Sequence, residues 1–198
     1  MSVRPVVVLP DSSLYLCSEE VSEADFGDGF KELIDDMFDT MYAEHGIGLA
    51  AVQIGVHKRV FIVDLSDRSG NTSECDESDA DGYLTACGPR VFINPKIVER
   101  SGDLVAMEEG CLSIPGQREW VVRHERVAVQ FLDQSGQNSV LRAGGLLARC
   151  LQHEMDHLDG VVFLKHVSKL KRDLVMKKLK KADCPEYSGL LQRRQSRN

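Results

Sequence analysis

No run in this chain approaches the roughly 20 consecutive apolar residues that a membrane span needs. The apolar stretch over residues 6–9 is also too short for the core of a secretory signal. These absences lead us to expect a soluble, unexported protein of the cytoplasm. No segment repeats at a fixed period, and the six cysteines (Cys17, Cys75, Cys87, Cys111, Cys150 and Cys184) show no paired short spacing. A repeat array and a disulfide scaffold are thereby excluded, and most cysteines are expected as free thiols. What remains is one compact domain, because 198 residues can bury a sufficient core without staples.

Charge is present but unevenly placed. The net charge is -7, yet residues 165–198 carry 11 Lys/Arg against 3 Asp/Glu, while residues 1–164 carry 13 against 28. A basic tail on an acidic body suits a polyanion such as RNA. A solvated helix face accounts for it equally well.

Residues 28–44 place Phe30, Leu33, Ile34, Met37, Phe38, Met41 and Tyr42 at three- and four-residue steps, predicting a helix with one buried face. The small residues that follow over 46–53 predict a ligand-facing loop or turn. Segments 59–65, 91–98 and 121–133 are rich in β-branched and aromatic residues and read as strands, with a shorter one over 104–107. Residues 66–90 are dense in Asp, Glu, Ser and Gly and predict a mobile acidic insertion. A second helix opens at Gly144 and Gly145 and ends near Asp159 and Gly160. Leu146, Cys150, His153 and His157 share one of its stripes; Leu147, Leu151, Met155 and Leu158 share another. So wide an apolar face places it in the centre of the domain, with its histidines sheltered from bulk water. An amphipathic helix over 169–181 places Leu170, Leu174, Val175 and Leu179 on its apolar side. The fold class expected is α+β: mostly antiparallel sheets packed around the central helix, plus N-terminal and C-terminal helices.

That central helix carries His153-Glu154-Met155-Asp156-His157. One helical turn between the two histidines lets both imidazoles share a metal, with the glutamate poised to act as a base. A third ligand is needed. The position six residues after His157, where one protease pattern places a histidine, is Phe163; the one glutamate downstream is Glu186, in the unpatterned tail. Upstream, Cys111 offers a thiolate just after a strand, although a lone cysteine also reads as a small buried apolar side chain.

Three blocks occur in order: Gly-Ile-Gly-Leu-Ala-Ala-Val-Gln over 46–53, Glu-Gly-Cys-Leu-Ser over 109–113 and Gln-His-Glu-Met-Asp-His over 152–157. Together they resemble the peptide deformylases, the bacterial type most closely, over roughly residues 5–180. The resemblance implies that residues 1–164 form the catalytic part, with 165–198 a basic helix and tail of the same domain. It implies Cys111, His153 and His157 as metal ligands and Glu154 as the acid–base residue, with Gln53 and the Leu112 N–H as oxyanion donors. It implies a substrate site near Gly46, Ile47, Gly48, Glu109, Gly110, Arg118, Leu146 and Cys150. Arg118 would pair with Glu109 or with the substrate's peptide chain. Arg149 stands where an apolar pocket residue is expected and would reach solvent or the substrate backbone. The ligand set alone suits zinc; the resemblance implies Fe(II), with zinc, nickel or cobalt able to substitute. The implied partners are a formylated nascent polypeptide and, through the basic tail, the ribosome, with neither membrane nor DNA. The rival readings are a peptidase of the same helix motif and a non-catalytic metal- or RNA-binding factor. The source of the third ligand separates the first, and the intact Glu154 argues against the second.

Overall fold

The computed structural model describes residues 2–66 and 76–182. Its first helix, α1 (Asp28–Ala43), buries Leu33, Ile34, Met37 and Met41 along one face, the spacing of an amphipathic helix. It closes where His45 enters the left-handed region at φ 57° and the Gly46 N–H reaches back to the Met41 carbonyl at 2.8 Å.

The block over 46–53, expected as a ligand-facing loop or turn, forms the edge strand β1 (Gly48–Ala50) and then a 3-10 turn, Ala51–Ile54. Its small residues serve close packing: β1 lies antiparallel to β2 (Val60–Val63), and Leu49, Ala50, Ala51 and Val52 are fully buried.

Of the acidic insertion expected over 66–90, residues 67–75 lie outside the described residues and residues 76–90 carry secondary structure. Two short strands, β3 (Glu77–Ser78) and β4 (Leu84–Ala86), join the sheet, and Cys87 is buried. The acidic residues find partners that composition does not reveal. Arg126 reaches Asp79 at 3.0 Å and Asp81 at 2.6 Å, and its guanidinium lies 4.7 Å over the Tyr83 ring. Asp79 also accepts the Tyr83 N–H, and Arg90 pairs with Asp76.

Next come β5 (Arg90–Cys111), β6 (Ile114–Leu132) and β7 (Asn138–Gly144). The separate strands expected over 91–98 and 104–107 are thus one element. Register shifts at Ile93/Lys96, Ile97/Glu99 and Ser101/Leu104 interrupt its alternation; such bulges bend a strand without ending it. The described strands form one sheet in the order β1-β2-β5-β6-β7-β4-β3, antiparallel except where β4 meets β7.

Helix α2 (Gly145–Leu158) packs against β1, β2, β4, β6 and β7, and α1 packs on β1 and β2. Between α2 and the sheet, Phe61 stacks on Phe92 at 4.8 Å and Phe92 meets Phe131 at 4.4 Å. The last helix, α3 (Lys169–Ala182), buries Val175 and Leu179 against Leu9, Leu14, Ile114 and Phe163. Leu170 and Leu174, expected on that same side, are 71% and 52% exposed. They lie one residue step around the helix from the packed pair, and α3 docks through one narrow stripe. No helix among the described residues is long and apolar enough to cross a membrane.

Candidate metal centre

Helix α2 places His153 and His157 one turn apart, facing the same way, with ring centroids 5.0 Å apart. The helix sits deep because the chain can leave it through Gly160, at φ 68°, where a Cβ would lie 2.5 Å from the Tyr15 carbonyl oxygen. Both imidazoles are consequently buried, His153 at 9% and His157 at 1% exposure. Strand β5 ends at Cys111, and the two-residue turn to Ile114 aims its side chain at the helix.

Cys111 Sγ lies 3.2 Å from His157 Nε2, and the ligand atoms of Cys111, His153 and His157 all fall within 4.8 Å of one another. A tetrahedral cation with bonds near 2.0–2.3 Å wants donors about 3.3–3.8 Å apart. The Cys111–His157 pair therefore already stands close to the required separation. Burial opposes ionisation of the Cys111 thiol, but the charge of His157 and hydrogen bonds to His153 and His157 outweigh it and hold the thiol down. One thiolate and two imidazoles, enclosed and close, are a donor set that fits a divalent transition metal.

His153 Nδ1 meets Glu109 Oε2 at 3.0 Å, which leaves Nε2 for the site. Glu109 is itself buried and held from two sides. Arg123 on β6 donates to both carboxylate oxygens, at 2.6 and 3.0 Å, and Arg149 on α2 donates to Oε1 at 2.7 Å. Burial alone would raise the Glu109 carboxyl, but the His153 and Arg123 hydrogen bonds and charges drive it well below the usual carboxylate range. Arg123 continues to Asp156 at 2.8 Å, and Asp156 to His166 at 2.7 Å.

Glu154 is 4% exposed, and its Oε2 has no hydrogen-bond partner. Burial pushes its carboxyl up to about 7, against the opposing charges of His153 and His157. Gly48 makes room for it: a Cβ there would lie 2.6 Å from Glu154 Oε1 and 2.9 Å from Cys150 Sγ. Gln53, at 2% exposure, accepts the Ala50 N–H through Oε1 at 2.9 Å. Its amide Nε2 therefore points to Ser113 Oγ at 3.2 Å and Cys111 Sγ at 3.5 Å. Leu112 sits in the turn beside Cys111 and against Gly46, where a Cβ would lie 3.0 Å from its side chain.

Of the remaining residues anticipated from sequence, Cys150 is buried with Sγ 3.8 Å from the Ile47 carbonyl, whereas Ile47 and Leu146 are 40% and 47% exposed. Gly110 is exposed beside the Arg118 side chain. Two expectations are corrected, the pairing of Arg118 with Glu109 and the reach of Arg149. Arg118 does not pair with Glu109: it is mostly exposed and stands 3.7 Å from Glu108, because Glu109 points inward and its oxygens are taken. Glu109 is buried and faces His153, one of the three metal-capable donors. Arg149 reaches neither solvent nor an open groove. It is buried and donates to the Val105 and Val121 carbonyls at 2.6 and 2.9 Å as well as to Glu109. Phe163, at the position of the absent third histidine, is buried with its ring 6.0 Å from that of His153.

Sequence reading missed Arg123 and the N-terminal segment. Arg123 carried a signal, a charge in the inward phase of an alternating strand next to buried Val121. The N-terminal segment carried none, since it acts through backbone. The Val7 N–H binds the Gln53 carbonyl at 2.7 Å and the Leu9 N–H binds that of Ser113 at 2.9 Å, tying down the two loops beside the thiolate.

A mixed sheet wrapped on a helix, with two of three metal-capable donors on that helix and the third at a strand end, defines a Cys/His metal-site protein. Residues 3–173 match the family model described as Polypeptide deformylase. The peptide deformylase of Erythrobacter litoralis is 44% identical over 189 residues, covering 91% of this chain and 97% of its own. That of Wolbachia pipientis is 44% identical over 181 residues, covering 91% and 96%. The crystal structure of peptide deformylase from Ehrlichia chaffeensis is 47% identical with a TM-score of 0.83, covering 93% of this chain and 98% of its own. A class I type b peptide deformylase from Acinetobacter baumannii, solved with Met-Ala-Ser bound, is 32% identical with a TM-score of 0.72, covering 84% and 99%. The chain belongs to the polypeptide deformylase family.

Proposed function

We propose that this chain hydrolyses the N-terminal formyl group of formyl-methionyl nascent polypeptides, releasing formate. The observation that carries the reading is the convergence of Cys111, His153 and His157 beside a buried Glu154 with an unpartnered oxygen. Family membership and a relative that holds a tripeptide beginning with methionine support it.

Cys111, His153 and His157 would hold one divalent metal ion, Fe(II) by family resemblance, with zinc, nickel or cobalt as substitutes. Such an ion, when bound, acidifies a water and polarises the formyl carbonyl. Glu154 takes the proton of the attacking water and later delivers it to the leaving amine. Its place between the two histidines on α2, with Oε2 unpartnered, leaves one carboxylate oxygen for both halves of the transfer. Negative charge that develops on the formyl oxygen is met by the Gln53 amide and the Leu112 N–H. The Gln53 side chain is already oriented by its bond from Ala50, so little reorganisation is needed at the moment of reaction.

Ile47, Leu146 and Cys150 line the methionine pocket. Gly46 and Gly48 let Leu112 and Glu154 close against the backbone beside it, and β1, at the end of the sheet among the described residues, is the edge that the peptide joins as a strand. Most of the affinity then comes from main-chain hydrogen bonds, and specificity concentrates on the first residue. The lysine-rich α3 is the surface for ribosome contact, in keeping with action on nascent chains in the cytoplasm.

The test is formate release from a formyl-methionyl tripeptide by protein loaded anaerobically with Fe(II), alongside Glu154→Ala with its metal content checked. The variant is expected to lose about 10²–10⁴-fold in rate while keeping its metal, the range general acid–base catalysis supplies. Equal rates in parent and variant would contradict the role of Glu154.

A further inference from the structure

The apolar outer face of the β5–β6 hairpin, the cavity behind β4 and the buried arginines beside Glu109 are the features that the proposed chemistry leaves unused. Of these, Arg149 is tied most closely to the site. Two metal-capable donors sit on α2 and the third, Cys111, sits at the end of β5, so the site exists only while helix and hairpin keep one fixed relation. Among the described contacts, the Arg149 guanidinium spans all three parts. From α2 it donates to the Val105 carbonyl on β5 at 2.6 Å, to the Val121 carbonyl on β6 at 2.9 Å and to Glu109 Oε1 at 2.7 Å. Its side chain is 6% exposed, and Glu109 in turn orients His153 through Nδ1.

We infer that Arg149 is a positioning residue for the metal centre: its planar fork locks α2 to the β5–β6 hairpin and, through Glu109, fixes the ring of His153. The inference rests on the reading of Cys111, His153 and His157 as ligands of one divalent ion. An arginine suits the task because a rigid fork satisfies several acceptors in one plane. A lysine carries the same charge on one nitrogen and cannot span two carbonyls and a carboxylate in that geometry. The bonds to Val105 and Val121 go to backbone carbonyls, so the lock is indifferent to which side chains those strands carry. Arg123 holds Glu109 from the hairpin side, so Arg149 supplies the helix side of the clamp.

The experiment follows cobalt loss. Parent, Arg149→Lys, Arg149→Met and Val175→Ala are loaded with Co(II), and release to excess chelator is timed by the visible absorption of the thiolate-bound ion. Val175→Ala truncates a core residue of α3 that makes no hydrogen bond to α2 or Glu109, and reports what loss of core packing alone does. Arg149→Met is expected to release cobalt about 10–100-fold faster than the parent, the span seen when partners of metal ligands are removed. Arg149→Lys should release it several-fold faster, and Val175→Ala within about twofold of the parent. In the cobalt-saturated enzymes, kcat should fall in both Arg149 variants with KM nearly unchanged. Should Arg149→Met not fold, Arg149→Lys carries the test. Parental release from Arg149→Lys, or equal acceleration in Val175→Ala, would overturn the proposal. Release is read without substrate, so a protein that loses cobalt as expected yet frees no formate would sink the deformylase reading and leave this one standing.

Discussion

His153, Glu109, Arg123 and Arg149 form a buried lattice of charge-assisted bonds, whereas Ile47, Leu146 and Arg118, on the proposed substrate side, are exposed. The contrast separates two jobs. In the lattice each charged group meets an opposite charge, with Arg149 Nε its one unpartnered buried atom among the described residues, so the geometry of the metal-capable donors is set before any ion or peptide arrives. On the proposed rim the side chains are exposed, which suits a surface that accepts varied sequences beyond a first methionine. Beside the lattice, Glu154 Oε2 and His157 Nδ1 are buried without a hydrogen-bond partner.

Breaking the lattice should have the largest effect. Glu109→Ala leaves two buried guanidiniums without their shared carboxylate, and removing one partner of such a pair typically costs about 3–5 kcal/mol. Metal affinity should fall about 10–100-fold at the same time. Urea unfolding and competitive metal titration would check both numbers, and an unchanged affinity would show that the carboxylate does not orient His153.

A pH profile sharpens the same contrast from the catalytic side. Glu154 must be a carboxylate to accept a proton, and burial lifts its carboxyl to about 7 in the metal-free protein. A bound cation favours the carboxylate and moves the value down. The rate should therefore rise with pH on an acid limb centred below 7 and flatten above it, and Glu154→Ala should lack that limb.

The rim should respond more mildly. Leu146→Ala should raise KM several-fold for a formyl-methionyl peptide and leave kcat and bound metal near parental values, since it removes binding shared by ground and transition states. Arg118→Ala should be the smallest effect of all. Its pairing with Glu108 is long and exposed, so stability should change by less than about 1 kcal/mol in a thermal melt.

Sequence legibility follows the same division. Local periodicity placed α1 and α2 within a residue or two, and it put both histidines on one helical stripe. The ordered blocks pointed to Cys111, which the fold does bring to that stripe. Partner choice across the fold was not readable. Arg118 and Arg123 lie on the same strand, and which of them meets Glu109 depends on which phase of the pleat faces inward. Arg149 reads as a misfit in an apolar pocket until the Val105 and Val121 carbonyls, 44 and 28 residues away in sequence, are seen beside it. Residues 76–90 looked unfoldable by composition because their stabilising arginine, Arg126, lies on a distant strand. The N-terminal clasp on Gln53 and Ser113 uses backbone alone and leaves no trace in residue types.

The most direct measurement is formate release from a formyl-methionyl tripeptide as Fe(II) is titrated anaerobically into metal-free protein. The account predicts that the rate climbs in proportion to bound metal and reaches its plateau at one ion per chain, with Cys111→Ser failing to follow the same curve. A fully metallated parent chain that released no formate would contradict it.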